Sequence, residues 1–215
     1  MKRGISGRIM IDSNTTDFGF TSVTAQEKTK KVAKVFSSVA SRYDIMNDVM
    51  SFGIHRLWKQ FAIHTAAIKH GSQVLDLAGG TGDLSEKLLK RVGSTGDVIL
   101  ADINAAMLQE GRDRFINKGV VNRIQYVQVN AECLPFDSHS FDFISIAFGL
   151  RNVTDKMQAL ESMYRCLKYG SQLMILEFSK MSIPLLQQAY DEYSFKLIPW
   201  LGKLIADDED SYRYL

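Results

Sequence analysis

The chain has 215 residues, of which 46% are hydrophobic and 23% charged, a composition typical of an ordinary globular protein with a sizeable core. The formal net charge of +2 gives no reason to expect a nucleic-acid partner. Two cysteines, Cys133 and Cys166, are too few for a disulfide framework and lack the spacing of a metal site, so we predict no metal and a cytoplasmic protein. We find neither a signal-peptide pattern nor a run of eighteen apolar residues, so we expect neither export nor a membrane span.

Residues 1–25 are rich in Ser, Thr, Gly and Asn and show no periodicity, which predicts a flexible arm. An amphipathic helix follows, because apolar residues recur at spacings of three and four. Its apolar stripe is Val32, Val35, Phe36, Val39 and Tyr43. The opposite face carries Lys28, Lys30, Lys31 and Lys34, for which we predict exposure to solvent, with attraction to a membrane surface as the alternative.

A second helical segment, HRLWKQFAIHTAAI, follows the turn at residues 51–53. The pattern places Leu57, Phe61 and Trp58 on its inner side. We interpret residues 26–70 as N-terminal helices that cover a substrate.

Short β-branched runs alternate with helical segments over residues 71–180. The predicted strands are 73–77, 98–101, 124–129, 141–146 and 173–178, and the predicted helices are 84–91, 105–117 and 156–167. Such alternation indicates an α/β, Rossmann-like fold with a mostly parallel sheet and helices on both faces. Ligands of these sheets bind beyond the carboxyl ends of the strands.

The segment VLDLAGGTGD, residues 74–83, ends the first of these strands. It is not a Walker loop, because Gly82 is followed by Asp83 and Leu84 instead of Lys and Ser or Thr. A dinucleotide fingerprint matches loosely, since Gly80, Gly82 and Ser85 approximate GxGxxG and Asp102 lies where a ribose-binding carboxylate is expected.

The charge of this loop separates a dinucleotide from S-adenosylmethionine. Asp76 and Asp83 would repel a pyrophosphate but suit a sulfonium and an ammonium group. The alternative for Asp83 is a cap in the first turn of a helix. In NAECLPF, Asn130 could bind an adenine amine with Ala131 or Glu132 beside it, or simply form an Asx turn.

Longer blocks make the chain resemble a known family. LDLAGGTGD, ADIN and NAECLPF are similar to the first motifs of class I S-adenosylmethionine-dependent methyltransferases. SRYDIMNDVMSFGIHRLWK (41–59), FGLRNVTDK (148–156), MYRCLK (163–168), LEFSK (176–180) and the final DSYRYL resemble the UbiE family of quinone-biosynthesis C-methyltransferases, over residues 18–215. The resemblance implies S-adenosylmethionine as cofactor and a polyprenylated hydroquinone as substrate, either demethylmenaquinol or a polyprenyl methoxy-benzoquinol.

The cofactor residues implied by the glycine loop and the strand ends are Asp76, Ala78, Gly80, Thr81, Gly82, Asp83, Asp102, Ile103, Asn130, Ala131 and Ala147. Three positions depart from the family pattern. Ala78 replaces the first loop glycine, Ala147 replaces a small hydroxyl residue, and KYGSQL replaces a Lys-Pro-Gly-Gly turn, so that Gly170 alone must supply a positive φ.

Methylation of a ring carbon calls for a base and for a cation that stabilises a phenolate. We name His55 as a candidate base, with a structural histidine at a helix start as the alternative. Arg151 is the candidate cation, and Tyr43 and Asn152 are its hydrogen-bonding companions. We expect Cys133 to lie beside the cofactor without a covalent role.

Family members continue past DSYRYL with a helix and two antiparallel strands, so we expect a truncated form. Residues 173–178 would then be an exposed apolar edge strand, so we expect either a homodimer through this edge or a poorly stable protein. Residues 181–215 include the aromatic, amphipathic SFKLIPWLGKLI, which we interpret as a lid or a contact with the inner membrane face, with ordinary core packing as the alternative. A non-catalytic cofactor-binding scaffold and an NAD-dependent oxidoreductase are the alternatives to a methyltransferase.

Overall fold

The computed structural model describes residues 15–18, 21–51 and 53–178. Two short antiparallel strands come first, β1 (Thr15–Phe18) and β2 (Thr21–Thr24), so the prediction of a flexible arm is wrong for these two segments. Helices α1 (Ala25–Val39), α2 (Tyr43–Ser51) and α3 (Ile54–Thr65) follow, with a 3-10 turn, Ala40–Arg42, between the first two. The start of α1 is fixed by a capping box, in which the Thr24 hydroxyl accepts from the Glu27 backbone N–H and the Glu27 carboxylate accepts from that of Thr24.

Five parallel strands form the central sheet, which confirms the predicted Rossmann-like fold. In chain order they are β3 (Gln73–Leu77), β4 (Asp97–Asp102), β5 (Ile124–Gln128), β6 (Phe141–Ala147) and β7 (Leu167–Leu176). The helices that join them are α4 (Asp83–Val92), α5 (Ala105–Asn117) and α6 (Lys156–Cys166). The spatial order β5-β4-β3-β6-β7 places the topological switch point between β3 and β6, where ligands of such sheets bind.

Strand β7 differs most from its prediction, because it begins at residue 167 directly after α6 and ends at residue 176. The predicted strand 173–178 misses its first part, where the ladder with β6 shifts register between Phe141 and Phe143. Gly170 lies in this irregular part with φ +75°, as its prediction requires. Within the described chain, β7 pairs only with β6.

Side chains of the strands alternate between two apolar clusters on opposite faces of the sheet. Leu75 and Leu77 pack with Ile144 and Met163, while Val74 packs on the other face with Leu88 and Phe115, among others. Asp76 therefore points to the same face as Val74, towards α4.

The predictions of which faces of α1 and α3 are exposed and which are buried were wrong in part. Lys28 belongs to the predicted solvated face of α1 yet is only 1% exposed. In α3 the predicted inner residues Leu57 and Phe61 are 65% and 70% exposed, and Trp58 is exposed as well. The buried side chains of α3 are instead His55, Lys59 and Ile63. Lys59 meets the Asp83 carboxylate, and Ile63 joins the apolar cluster around Val74. None of the described helices is long and apolar enough to cross a membrane.

Candidate active site

A pocket of about 300 Å³ lies at the carboxyl ends of the strands, at the small end of the usual range for ligand sites. Seven of the predicted cofactor residues line it, which are Ala78, Gly80, Asp102, Ile103, Asn130, Ala131 and Ala147. Tyr43 and Asn152, two of the predicted catalytic residues, line the same pocket. The structure thus brings together residues from five separate segments of the chain, as the resemblance implies.

Asp102 is the best-positioned carboxylate of the pocket. It ends β4, where its Oδ2 accepts from the backbone N–H of Gly80 at 3.0 Å and its Oδ1 accepts from that of Asn104 at 2.9 Å. Burial raises the pKa of this carboxyl, while the backbone donors of Asn104 and Gly80 act in the opposite sense. The two hydrogen bonds fix the orientation of the carboxylate relative to the glycine loop before any ligand binds.

Asp76 does not line the pocket. Its carboxylate is buried below the loop, where Oδ2 accepts from the Ser85 hydroxyl at 2.6 Å and Oδ1 from the Ser145 hydroxyl at 2.8 Å. Burial raises its pKa to about 6, although both serine hydroxyls act to lower it. Asp76 therefore ties β3 to α4 and β6, and its charge does not serve the pocket directly.

Asp83 is also directed away from the pocket, at the first position of α4. Its Oδ2 accepts from the Lys59 ammonium at 2.9 Å, and Arg114 lies 3.6 Å from Oδ1. Burial by itself would raise the pKa of Asp83, but the charge of Lys59 and its hydrogen bond hold it below the usual value. The charges of Asp76 and Asp83 therefore do not select the ligand as predicted, since both carboxylates have partners within the protein.

Thr81 and Gly82 complete the loop without lining the pocket. The Thr81 hydroxyl donates to Oδ1 of Asp44 in α2, and the other oxygen of Asp44 accepts from Arg114 at 2.7 Å. Arg114 also lies 3.3 Å from Glu86 of α4. These contacts join the glycine loop to the N-terminal helices, which the loop sequence alone does not reveal.

The glycine loop after β3 and the segment after β6 approach each other closely, which explains why both carry small residues. A Cβ on Gly149 would come within 2.5 Å of the Ala78 Cβ, across the switch point between β3 and β6. Gly80 and Ala78 both have positive φ, +57° and +52°, and this conformation is strained for alanine.

Asn130 lines the pocket, and its Oδ1 accepts from the Glu132 backbone N–H in the predicted Asx turn. Its contact with an adenine amine stays a prediction. Glu132 lines the pocket too, and its Oε1 accepts from the backbone N–H groups of Thr154 and Asp155 at 3.1 and 2.9 Å. Glu132 was predicted only as a possible neighbour of the adenine-binding amide, and not for these two hydrogen bonds. The exposed Cys133 does not line the pocket, contrary to the predicted position beside the cofactor.

Helix α1 supplies a whole side of the pocket, through residues that were not among the predicted site residues. Its contribution is Ala25, Gln26, Thr29, Val32, Ala33 and Phe36. The row of small residues at positions 25, 29 and 33 recurs every fourth residue and was the available signal, since such spacing aligns side chains along one helix face.

The predicted catalytic residues are only partly brought together. The Tyr43 phenol has a pKa raised chiefly by burial, which favours the protonated form that can donate a hydrogen bond. Asn152 belongs to the 3-10 turn Leu150–Asn152, directly beyond Phe148 and Gly149 of the pocket wall. Arg151 of the same turn lies outside the pocket lining, with its guanidinium carbon 5.2 Å from the Phe178 ring centroid, and Phe178 stacks on Phe148.

His55 is not brought to the pocket. It is buried at the start of α3, where its Nδ1 lies 2.8 Å from the Ser51 hydroxyl and 3.8 Å from Asp48. Burial, followed by the positive charge of Lys59, lowers its pKa, so the neutral form is favoured. This geometry fits the alternative of a structural histidine at a helix start.

Solved structures share this fold. A SAM-dependent methyltransferase from Aquifex aeolicus is similar with a TM-score of 0.57 and 23% identity, covering 81% of this chain and 87% of that one. A Methanococcus maripaludis protein described as an S-adenosyl-L-methionine-dependent methyltransferase has a TM-score of 0.57 and 20% identity, over 81% and 74% of the two chains. The fold is therefore that of the Rossmann-like class I methyltransferases.

Sequence comparison narrows this class. A model of the ubiE/COQ5 methyltransferase family matches residues 23–215. The ubiquinone/menaquinone biosynthesis C-methyltransferase UbiE of Francisella philomiragia is 59% identical over 204 residues, which are 95% of this chain and 82% of the relative. Its counterpart in Marinomonas is 61% identical over 201 residues, 94% of this chain and 80% of the relative. The chain belongs to the ubiE/COQ5 methyltransferase family.

Proposed function

We propose that this protein uses S-adenosylmethionine to methylate a ring carbon of a polyprenylated hydroquinone in ubiquinone or menaquinone biosynthesis. The single observation that carries the proposal is the joining of Asp102, Gly80 and Asn130 with Tyr43 and Asn152 in one pocket of a chain from this family. The acceptors considered are demethylmenaquinol and a polyprenyl methoxy-benzoquinol, which the resemblance to the family implies, and the names of the relatives refer to ubiquinone and menaquinone biosynthesis.

The residues of the pocket fit the cofactor by the chemistry of their groups. The oriented Asp102 carboxylate suits ribose hydroxyls, and the backbone of Gly80 permits close approach. Asn130 and Ala131 offer polar and small groups for an adenine ring, with the partly exposed Ile103 available for apolar contact. Among the described residues, Asp102 and Glu132 are the two carboxylates that line the pocket, and their charge suits a cationic ligand.

When bound, S-adenosylmethionine supplies an electrophilic methyl group, so the protein has to position an electron-rich ring carbon and exclude water. Phe148 provides a flat apolar surface at the pocket wall, and Phe178 stacks on it at 4.6 Å between ring centroids. Arg151 stands over Phe178 with a charge that favours a phenolate over a phenol. Tyr43 and Asn152 can hydrogen-bond to the ring oxygens.

Two interactions of the whole protein accompany this proposal. The exposed apolar side chains of α3, Leu57 and Phe61 among them, support transient contact with a membrane surface that holds the prenylated substrate. The outer edge of β7 and the 42% exposed Ile175 support a homodimer through this strand. The predicted lid, residues 181–215, lies outside the described residues.

The decisive experiment measures transfer of labelled methyl from S-adenosylmethionine to each reduced quinone precursor. We expect wild type to be active, Asp102→Ala to lose cofactor affinity, and Arg151→Ala to lose turnover with cofactor affinity retained. Arg91→Ala, which changes an exposed arginine at the far end of α4, is the matched control. Cofactor binding without transfer to either quinol would favour a scaffold, and wild-type turnover in Arg151→Ala would remove that residue from the mechanism.

A further inference from the structure

The pocket has a cofactor half around Asp102 and a substrate half around the turn Leu150–Asn152. Two buried polar side chains hold helix α1 against these halves. One is Lys28, on the helix itself, and the other is Asn104, which lies at the start of α5. Neither was predicted to bind cofactor or substrate, although Asn104 lines the pocket beside Asp102.

Lys28 fastens α1 to the substrate half. Its ammonium donates to the carbonyl oxygens of Arg151 at 3.4 Å and Val153 at 3.1 Å, and to the Thr16 hydroxyl at 3.4 Å. The two carbonyls stand at the end of the 3-10 turn that carries Arg151 and Asn152. A cation at this end complements the partial negative charge of terminal carbonyls, so Lys28 holds the turn in place through its backbone carbonyls.

Asn104 fastens α1 to the cofactor half. Its amide nitrogen donates to the Ala33 carbonyl at 3.1 Å and the Ser37 hydroxyl at 3.0 Å, both in α1. Its side-chain oxygen accepts from the backbone N–H groups of Ala106 and Met107 and thereby caps α5. Its own backbone N–H holds Asp102, so one residue connects α1, α5 and the Asp102 carboxylate.

We infer that Lys28 and Asn104 are positioning residues with separable effects, Lys28 acting on the hydroquinone through the Arg151 turn and Asn104 acting on the cofactor through Asp102. This inference rests on the proposed function for the identity of the two ligands. The face of α1 between the two contacts lines the pocket, so each contact also sets the width of the half next to it.

Two variants and one control test the separation. Lys28→Met removes the ammonium and keeps the length of the side chain. Asn104→Ser keeps an oxygen that caps α5 but removes the amide donor to α1. Lys34→Met changes an exposed lysine of the same helix and is expected to behave as wild type. Each protein is assayed in full length for the Kd of S-adenosylmethionine by calorimetry and for the KM and kcat of each quinol.

We expect Lys28→Met to raise the quinol KM or lower kcat by about tenfold with a cofactor Kd within about twofold of wild type. Asn104→Ser should raise the cofactor Kd by about tenfold. Equal effects of both variants on both ligands, or none on either, would overturn the inference and leave α1 a merely structural element.

Two further measurements keep the outcome decisive. If Lys28→Met does not fold, Lys28→Gln, which keeps a donor without the charge, is assayed in the same way. A wild-type protein that methylates neither quinol would reject the proposed function, whereas the cofactor Kd of Asn104→Ser would still decide its part of the inference.

Discussion

The ammonium of Lys59 in α3 lies 2.9 Å from the Asp83 carboxylate at the start of α4, and both side chains are largely buried. This ion pair joins the N-terminal helices to the glycine loop at the point where the sequence suggested a contact with the cofactor. The glycine loop is therefore held in place by contacts within the protein. Asp76 and Asp83 help to set the shape of the loop, and through it the shape of the pocket.

The Lys59–Asp83 pair is expected to contribute mainly to stability. Lys59→Met and Asp83→Asn should each lower the free energy of unfolding by about 1–3 kcal/mol, because either change leaves a partly buried polar group without its partner. The double variant should lose less than the sum of the two. Urea unfolding measures these differences, and an additive double variant would show that the pair is not coupled.

Asp102 is expected to matter for cofactor affinity. Asp102→Asn removes the charge and one acceptor from a carboxylate that Gly80 and Asn104 hold in place, so the Kd of S-adenosylmethionine should rise by about tenfold or more. Asp113→Asn, an exposed change on α5, is the control for calorimetric titration. An unchanged Kd in the Asp102 variant would mean that the ligand does not contact this carboxylate.

Asp76 predicts a dependence of stability on pH. Its pKa is raised to about 6 in the folded chain from an ordinary value of 3.8, so between these values the folded state binds more protons than the unfolded state. Its contribution to stability is present at low pH and is lost as pH rises through about 6. From pH 5 to 7.5, the free energy of unfolding of wild type should fall by roughly 1–2 kcal/mol relative to that of Asp76→Asn.

Thermal or urea unfolding of both proteins across this range checks the prediction for Asp76. Because the comparison is between wild type and a variant, titration of the remaining carboxylates cancels to first order. A constant difference between the two proteins from pH 5 to 7.5 would contradict a raised pKa.

The close approach of Gly149 and Ala78 predicts that Gly149→Ala weakens cofactor binding and that a second substitution restores it. Gly149→Ala places a Cβ within 2.5 Å of the Ala78 Cβ, so the loops after β3 and β6 must move apart, and cofactor affinity should fall by about tenfold or more. Adding Ala78→Gly removes the opposing Cβ and also relieves the positive φ of residue 78. Titration should show recovery in the double variant, and failure to recover would place the damage elsewhere.

The sheet could be predicted from the sequence because its signals are local. Apolar β-branched runs between glycines gave the strands of the core, and α5 begins and ends where predicted because Asn104 caps its first turn. The start of β7 was missed because Leu167 follows α6 without a loop and the irregular segment around Gly170 interrupts the alternation.

The partners of polar side chains could not be predicted in the same way. The sequence gives the charge of Asp76 but not Ser145, which lies 69 positions away in the chain. It likewise places the lysines of α1 on one face without showing that Lys28 meets the carbonyls of Arg151 and Val153. In α3 a polar face is buried and an apolar one exposed, so a rule that assigns apolar residues to the interior fails there.

The hydrogen bonds of Lys28 to the carbonyls of Arg151 and Val153 span 123 and 125 positions of the chain. Contacts of such separation close very long loops and form late when a chain folds. We therefore expect the turn that carries Arg151 and Asn152 to become ordered only when α1 docks against it. In native-state hydrogen exchange, α1 and this turn are expected to open together as one unit, while the strands β3 and β4 stay protected.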